Sequence, residues 1–386
     1  MDYDSLMNTT ARDIPPSGIR RFFDIAAEMD EVISLSVGEP DFQTPWHVRS
    51  VGIDSLQKGH TSYSPNRGFT ALCREICGYY ARRFGPDYNF KTDVVVTVGG
   101  SEAIDLAIRA LVNPGDEVLV PQPSFVCYAP IAELAGAKAV PIVTTRENEF
   151  RLMPEALRES ITDRTKLLIL PYPNNPTGAV MRREHLEAIA EVLRGTNIMV
   201  LSDEIYAELT YNGVPHVSFA SIDGMKERTI VVNGFSKAYA MTGWRLGYAL
   251  GPAPMIAVMT KVHQYAIMCA PTTSQYAAIE ALSNGDEDIA VMRDEYDMRR
   301  RLIVNGFREL GFDCFEPEGA FYIFPSIQHT GMTSEKFCSR LLEQQHVAVV
   351  PGNAFGDCGE GYIRVSYAYS TAHINEALRR IKLFLS

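Results

Sequence analysis

The sequence predicts an α/β protein, a three-layer, mostly parallel sheet domain joined to a second, smaller α+β domain. Three observations carry that expectation. The 386 residues exceed one ordinary core, since domains usually run to ~100–200 residues. Between residues 90 and 250 short apolar runs alternate with segments of helical period, the pattern of parallel strands joined by covering helices. After residue 284 the pattern changes to a long charged helix followed by short strands.

The predicted strands of the sheet are VVVTV (94–98), EVLVP (117–121), KAVPIV (138–143), KLLILPY (166–172), IMVLSDE (198–204), TIVVNGF (229–235) and RLGYAL (245–250). Most are apolar throughout rather than alternating, as strands covered on both faces must be. Between them EAIDLAIRALV (102–112) and REHLEAIAEVLR (183–194) show helical spacing. Downstream, residues 286–310 read as one helix leading out of the sheet. AFYIF (320–324), VAVVPG (347–352) and GYIRVSYA (361–368) read as short strands, and AHINEALRRIKLFL (372–385) as a closing helix. Residues 1–45 are expected to pack with this second part. The expected domains are therefore 46–285, and 1–45 together with 286–386, closely joined because no Gly/Ser-rich linker separates them.

Composition excludes several function classes. Thirty-six Lys and Arg against 47 Asp and Glu leave a net charge of −11, which argues against a nucleic acid or an anionic membrane surface as partner. No apolar run approaches the ~18–20 residues that a membrane span requires. The first residues lack the apolar centre of a signal peptide, so a cytoplasmic location is expected. Seven cysteines lie scattered along the chain and read as free, mostly buried thiols. Neither they nor the eight histidines fall at zinc-ligand spacing, and no metal site is expected.

In open sheets of this kind, ligands gather at the carboxyl ends of the strands. VVVTV ends in Gly99-Gly100-Ser101 and enters a helix at Glu102, where free N–H groups offer a phosphate site. Alone, the same glycines read as a plain turn, and without G-x-G-x-x-G a dinucleotide is not indicated. KLLILPYP ends in Asn174-Asn175-Pro176-Thr177-Gly178, a turn sequence. IMVLS ends in Asp203, with Tyr206 three residues on; a carboxylate there is costly unless a cation or donors meet it. A helix cap or a structural ion pair is the other reading of Asp203. TIVVNGF ends in Ser236-Lys237, and a lysine facing a cleft brings Schiff-base chemistry into view. Arg245 follows eight residues later, and Arg364 stands among apolar neighbours in GYIRVSYA. Each guanidinium suits a carboxylate or phosphate, or a salt bridge if taken singly. Together the strand ends bring a phosphate nest, an acid, an amine nucleophile and a carboxylate clamp toward one cleft.

These segments resemble the pyridoxal-phosphate-dependent aminotransferases of fold type I, class I/II, the aspartate and aromatic aminotransferases among them. The resemblance runs through SVGEPDF (36–42), TSYSPNRG (61–68), VTVGGSEA (96–103), PNNPTG (173–178), SDEIY (202–206), NGFSKAYAMTGWRLGY (233–248) and YIRVSY (362–367). It implies pyridoxal 5′-phosphate as cofactor, with Lys237 holding its aldehyde and then moving a proton at the substrate Cα. It implies Asp203 on the protonated pyridine nitrogen, and Tyr206 and Asn175 on the phenolic oxygen. The backbone of Gly100, Ser101 and Glu102, with Ser236 and Arg245, would hold the phosphate. Tyr63 matches a tyrosine reaching that phosphate from the other subunit of a homodimer, and Phe125 matches the aromatic that stacks on the ring, where many relatives carry Trp or Tyr. Arg364, helped by Asn175 and the Gly38 backbone, would clamp the substrate α-carboxylate and so favour Cα–H cleavage through orientation.

The expected reaction is transfer of an amino group from an L-amino acid, aspartate or aromatic, to a 2-oxo acid such as 2-oxoglutarate. The donor pocket is open in this reading. Arg20 and Arg21 lie in the segment that the resemblance brings toward it, although at least one of them reads as part of a solvated helix face, while Ile19 and the aromatics of AFYIF suit apolar or aromatic side chains. An aminotransferase for a precursor such as a diaminopimelate derivative, and a β-lyase on the same cofactor, are the alternatives. A serine hydrolase is a further one, since Gly234-Phe235-Ser236-Lys237-Ala238 departs from G-x-S-x-G only at Ala238.

Overall fold

The protein is described by a computed structural model that covers residues 1–16, 18, 29 and 31–386; Ile19, Arg20 and Arg21 lie outside the described residues. Among the described residues twelve strands run in chain order: β1 (Ile33–Ser34), β2 (Val94–Thr97), β3 (Glu117–Gln122), β4 (Lys138–Val143), β5 (Thr165–Leu170), β6 (Met199–Asp203), β7 (Thr229–Gly234), β8 (Gly247–Leu250), β9 (Tyr322–Ile323), β10 (Val347–Ala348), β11 (Val350–Pro351) and β12 (Ile363–Ser366). Seven of them form one sheet in the order β2-β8-β7-β6-β5-β3-β4. The β4-β3-β5-β6-β7 pairings are parallel, and β8 runs antiparallel between β7 and β2.

Burial explains the apolar runs. In β2, β7 and β8 every residue is buried, whereas β4 is mostly exposed and carries Lys138 and Pro141 at the sheet's edge, where proline costs no ladder bond. Helix Gly99–Leu111 lays Ala103, Ile104, Ala107 and Ile108 on the sheet. Helix Thr70–Phe84, with buried Cys73, Cys77 and Tyr80, joins a separate cluster that includes Val94 and Tyr248.

The chain beyond residue 285 begins with helix Asp286–Glu309 and continues into β9–β12 and helix Thr371–Leu385. β11, β12 and β9 form a three-stranded antiparallel sheet. β1 pairs in parallel with β10, Ile33 opposite Val347, and so ties the early chain to this part. Helix Thr9–Asp13, in contrast, lies against helix Tyr128–Leu134.

Several boundaries differ from those expected from sequence. VAVVPG divides into β10 and β11, which pair with different partners. The strand anticipated from Arg245 starts at Gly247, because Arg245 sits in a left-handed turn at φ 51°. The helix anticipated from Glu102 starts at Gly99, one turn earlier than the low helix propensity of glycine suggests.

Candidate active site

The carboxyl ends of β2, β5, β6 and β7 converge on a cavity of about 320 Å³. Gly100 and Ser101 reach it after β2, Asn175 after β5, Asp203 from the end of β6, and Ser236 and Lys237 after β7. Val37, Gly38 and Glu39 close one side, and Arg364 on β12 closes another together with Tyr322 on β9. Phe125 and Arg245 also line it. Glu102 and Tyr63 do not. With the helix starting at Gly99, the Glu102 N–H falls where intrahelical bonding begins, and its carboxylate turns to the Val98 N–H and His263. Tyr63 is 82 % exposed, outside the cavity.

The amine of Lys237 donates to the Gly38 carbonyl at 2.6 Å. Burial is the main reason that its pKa falls to about 8; Arg364 and Arg245 push the same way, while Glu39 and Asp203 oppose them. Burial also lifts Asp203 to about 6, against the Tyr128 hydroxyl and the Ile205 N–H, both of which donate to its carboxylate.

Arg364 is 2 % exposed. Its Nη1 donates to Asn175 Oδ1 at 3.0 Å and its Nη2 to the Ser36 carbonyl. Its guanidinium lies 4.5 Å from the Tyr322 ring centroid and 4.9 Å from that of Phe355. Its Nε is buried without a partner. The Tyr322 hydroxyl meets that of Tyr206 at 2.8 Å. A Cβ on residue 38 would lie 2.3 Å from this Tyr322 oxygen, so only glycine fits there.

The site fits a ligand with a phosphate, a carboxylate and a cationic ring. Lys237, Arg245 and Arg364 are its cations and Glu39 and Asp203 its carboxylates. The phosphate end is a backbone cradle that side chains would fill. Gly99 has φ 76°, and a Cβ on it would lie 2.9 Å from Arg245 Nη2; a Cβ on Gly247 would lie 2.6 Å from the Gly100 nitrogen. Bonds from both Nη atoms to protein oxygens fix the Arg364 guanidinium in the cavity wall, where it suits an anion.

Sequence reasoning passed over Glu39, Tyr128 and Tyr322 at the site. Tyr128 follows Phe125 by three positions, yet its bond to Asp203 at 2.7 Å spans 75 residues of chain and has no sequence signal. Tyr322 was visible only as one aromatic in AFYIF. All seven cysteines are free, and no cluster of metal-ligating side chains occurs among the described residues. No described residue lining the cavity is a histidine, so a Ser-His pair is not formed among them. No helix among the described residues is long and apolar enough to cross a membrane.

Residues 30–381 match the family described as Aminotransferase class I and II. The "Putative aminotransferase YugH" of Bacillus subtilis is 50% identical over 381 residues, covering 99% of this chain and 98% of that protein. The "Probable N-acetyl-LL-diaminopimelate aminotransferase" of the same organism is 44% identical over 382 residues, covering 99% and 96%. Among solved structures, the aromatic aminotransferase from Pyrococcus horikoshii OT3 superposes with a TM-score of 0.90 at 43% identity, covering 95% of this chain and 98% of that one. Further relatives carry the name aspartate aminotransferase. The fold, the cavity and these likenesses agree: the chain belongs to the class I and II aminotransferases, enzymes of fold type I that use pyridoxal 5′-phosphate.

Proposed function

We propose that this aminotransferase moves the amino group of aspartate or an aromatic amino acid to a 2-oxo acid such as 2-oxoglutarate. The observation that carries the reading is the convergence of Lys237, Asp203 and Arg364 in one cavity. Bound pyridoxal 5′-phosphate supplies an electron sink conjugated with the substrate Cα. The chain's own residues do the rest. Gly100 and Ser101 N–H groups, with Ser236 and Arg245, bind the phosphate. Asp203 would hold the proton on the ring nitrogen, Phe125 would pack on the ring, and Tyr206 and Asn175 would donate to the phenolic oxygen. Arg364, Asn175 and Gly38 fix the substrate carboxylate. That orientation would present the Cα–H bond to the Lys237 amine, which would take the proton from Cα and deliver it to the former aldehyde carbon of the cofactor.

The side-chain end of the cavity bears on the choice of donor. Among its described lining residues the cations are Lys237, Arg245 and Arg364, each with a role above. Aromatic walls from Tyr206 and Tyr322 suit an aromatic donor, and Arg20 and Arg21 would be the partners of a distal carboxylate. With 2-oxoglutarate as acceptor, a panel of aspartate, phenylalanine, tyrosine and a diaminopimelate derivative is expected to release glutamate fastest with the first three. Turnover of the diaminopimelate compound alone would reassign the donor. Ammonia without glutamate would make the enzyme a β-lyase.

The subdivision at 46–285, and 1–45 plus 286–386, belongs to the same proposal, with the cleft between the two parts. So does a cytoplasmic homodimer. Tyr63, Tyr265 and Met268 are exposed on segments bridged by Asn66 to the Met268 carbonyl and Thr272 to the Ser62 carbonyl. An exposed apolar cluster of this kind suits a second copy, through which Tyr63 would reach the neighbouring phosphate. Sedimentation of the cofactor-loaded protein should give twice the chain mass.

Tyr128 supports Asp203 in this scheme. Tyr128→Phe keeps the buried ring and removes the donor whose bond lowers the Asp203 pKa. The carboxylate then ionises at a higher pH than about 6. Cofactor affinity at pH 6.5 should fall ~3–10-fold and recover by pH 8.5, as read by absorbance titration. A loss that ignores pH would remove Tyr128 from this role.

A further inference from the structure

We infer that Glu102 and His263, neither of which lines the cavity, are positioning residues for the turn that receives the cofactor phosphate. This rests on the cofactor site proposed above. Helix Gly99–Leu111 opens with two glycines, and its N-cap, Val98, has no side-chain acceptor. Glycine is the residue least held by its own sterics, so the direction of the Gly100 and Ser101 N–H groups must be set from outside. On one side the backbone of Gly247 packs against Gly100, too close to admit a Cβ. On the other, Glu102 reaches back along its own helix and its Oε2 accepts the Val98 N–H.

The second carboxylate oxygen fixes that clamp to a different element. Glu102 Oε1 lies 2.7 Å from His263 Nδ1, near the end of helix Ala253–Ala266. The imidazole is fully buried and the Glu102 side chain is 11 % exposed. His263 Nε2 is buried without a hydrogen-bond partner. A buried nitrogen left unpaired is a cost in stability, so the ring is not placed there for its own satisfaction; what it provides is the Nδ1 contact. Swung free, the Glu102 carboxylate would compete with a phosphate for the same helix N–H groups and repel it. Held by His263, it caps Val98 and leaves the next N–H groups to the ligand.

The test compares pyridoxal 5′-phosphate with pyridoxal, which lacks the phosphate, by absorbance titration of the cofactor-free protein. His263→Leu and Glu102→Ala should each weaken binding of the phosphorylated form about tenfold and change pyridoxal binding less than about twofold. His263→Asn, whose amide nitrogen falls near the place of Nδ1, should recover most of the loss. At saturating cofactor His263→Leu should keep kcat within about twofold. Equal weakening of both ligands would mean general structural damage and overturn the inference, as would unchanged phosphate preference in both His263→Leu and Glu102→Ala. A wild-type protein that binds pyridoxal as tightly as its phosphate would overturn the cofactor site itself, a separate outcome.

Discussion

Lys237→Ala is expected to abolish amino transfer, a loss of at least ~10⁴-fold, because one amine serves both as nucleophile and as the acid and base at Cα. Borohydride should fix the cofactor to Lys237 in the wild-type chain and to nothing in the variant, as read by peptide mass. Reduction product on another lysine would displace Lys237 from the mechanism.

The pKa of this lysine sharpens the test. At pH 7.5 an ordinary lysine is neutral in roughly one molecule in a thousand, whereas one lowered to about 8 is neutral in roughly one in four. Burial beside two guanidinium groups therefore raises the concentration of attacking amine by more than two orders of magnitude. Cofactor capture by the free enzyme should accordingly accelerate as pH rises through 8 and level off above it. A rate still climbing tenfold per unit at pH 9.5 would show an unperturbed amine.

The same two residue types explain why so much of this site was legible in sequence. Strands buried on both faces are apolar runs, and Asp203 at the end of β6 and Lys237, three residues beyond β7, stand out against them. Arg364 stands out inside β12 for the same reason. The seven sheet strands were readable from periodicity, but their order was not, since the insertion of antiparallel β8 between β2 and β7 leaves no local mark. The helix start was misplaced because two glycines argue against a helix, while the Glu102 carboxylate caps that turn from within. Tyr128 with Asp203 and His263 with Glu102 join residues 75 and 161 positions apart. Contacts of that range are made by tertiary packing and carry no periodic or motif signal.

Asp203→Asn should separate function from stability. Activity is expected to fall ~10²–10³-fold, since a neutral amide no longer keeps the proton on the ring nitrogen, and an uncharged ring is a weaker sink for the electrons left on Cα. The cofactor-free protein should nevertheless become more stable at neutral pH. Burial holds the Asp203 pKa at about 6 in the folded chain against an ordinary 3.8, so between those values the folded state binds the extra proton and stability falls as pH rises. Below 3.8 both states are protonated and the cost vanishes; above 6 it is complete, of order 2–3 kcal/mol. The amide removes it, and Tyr128, freed from donating, can accept from the new NH₂. Melting temperatures of the two cofactor-free proteins should thus converge at pH 4 and diverge by pH 7.5, with the variant higher. Adding pyridoxal 5′-phosphate should reverse the order, because a ring cation meets the carboxylate and gives nothing comparable to the amide. Should wild type remain the more stable cofactor-free protein at pH 7.5, Asp203 would be a structural carboxylate already satisfied by Tyr128 and Ile205, with no cation awaited in the cavity.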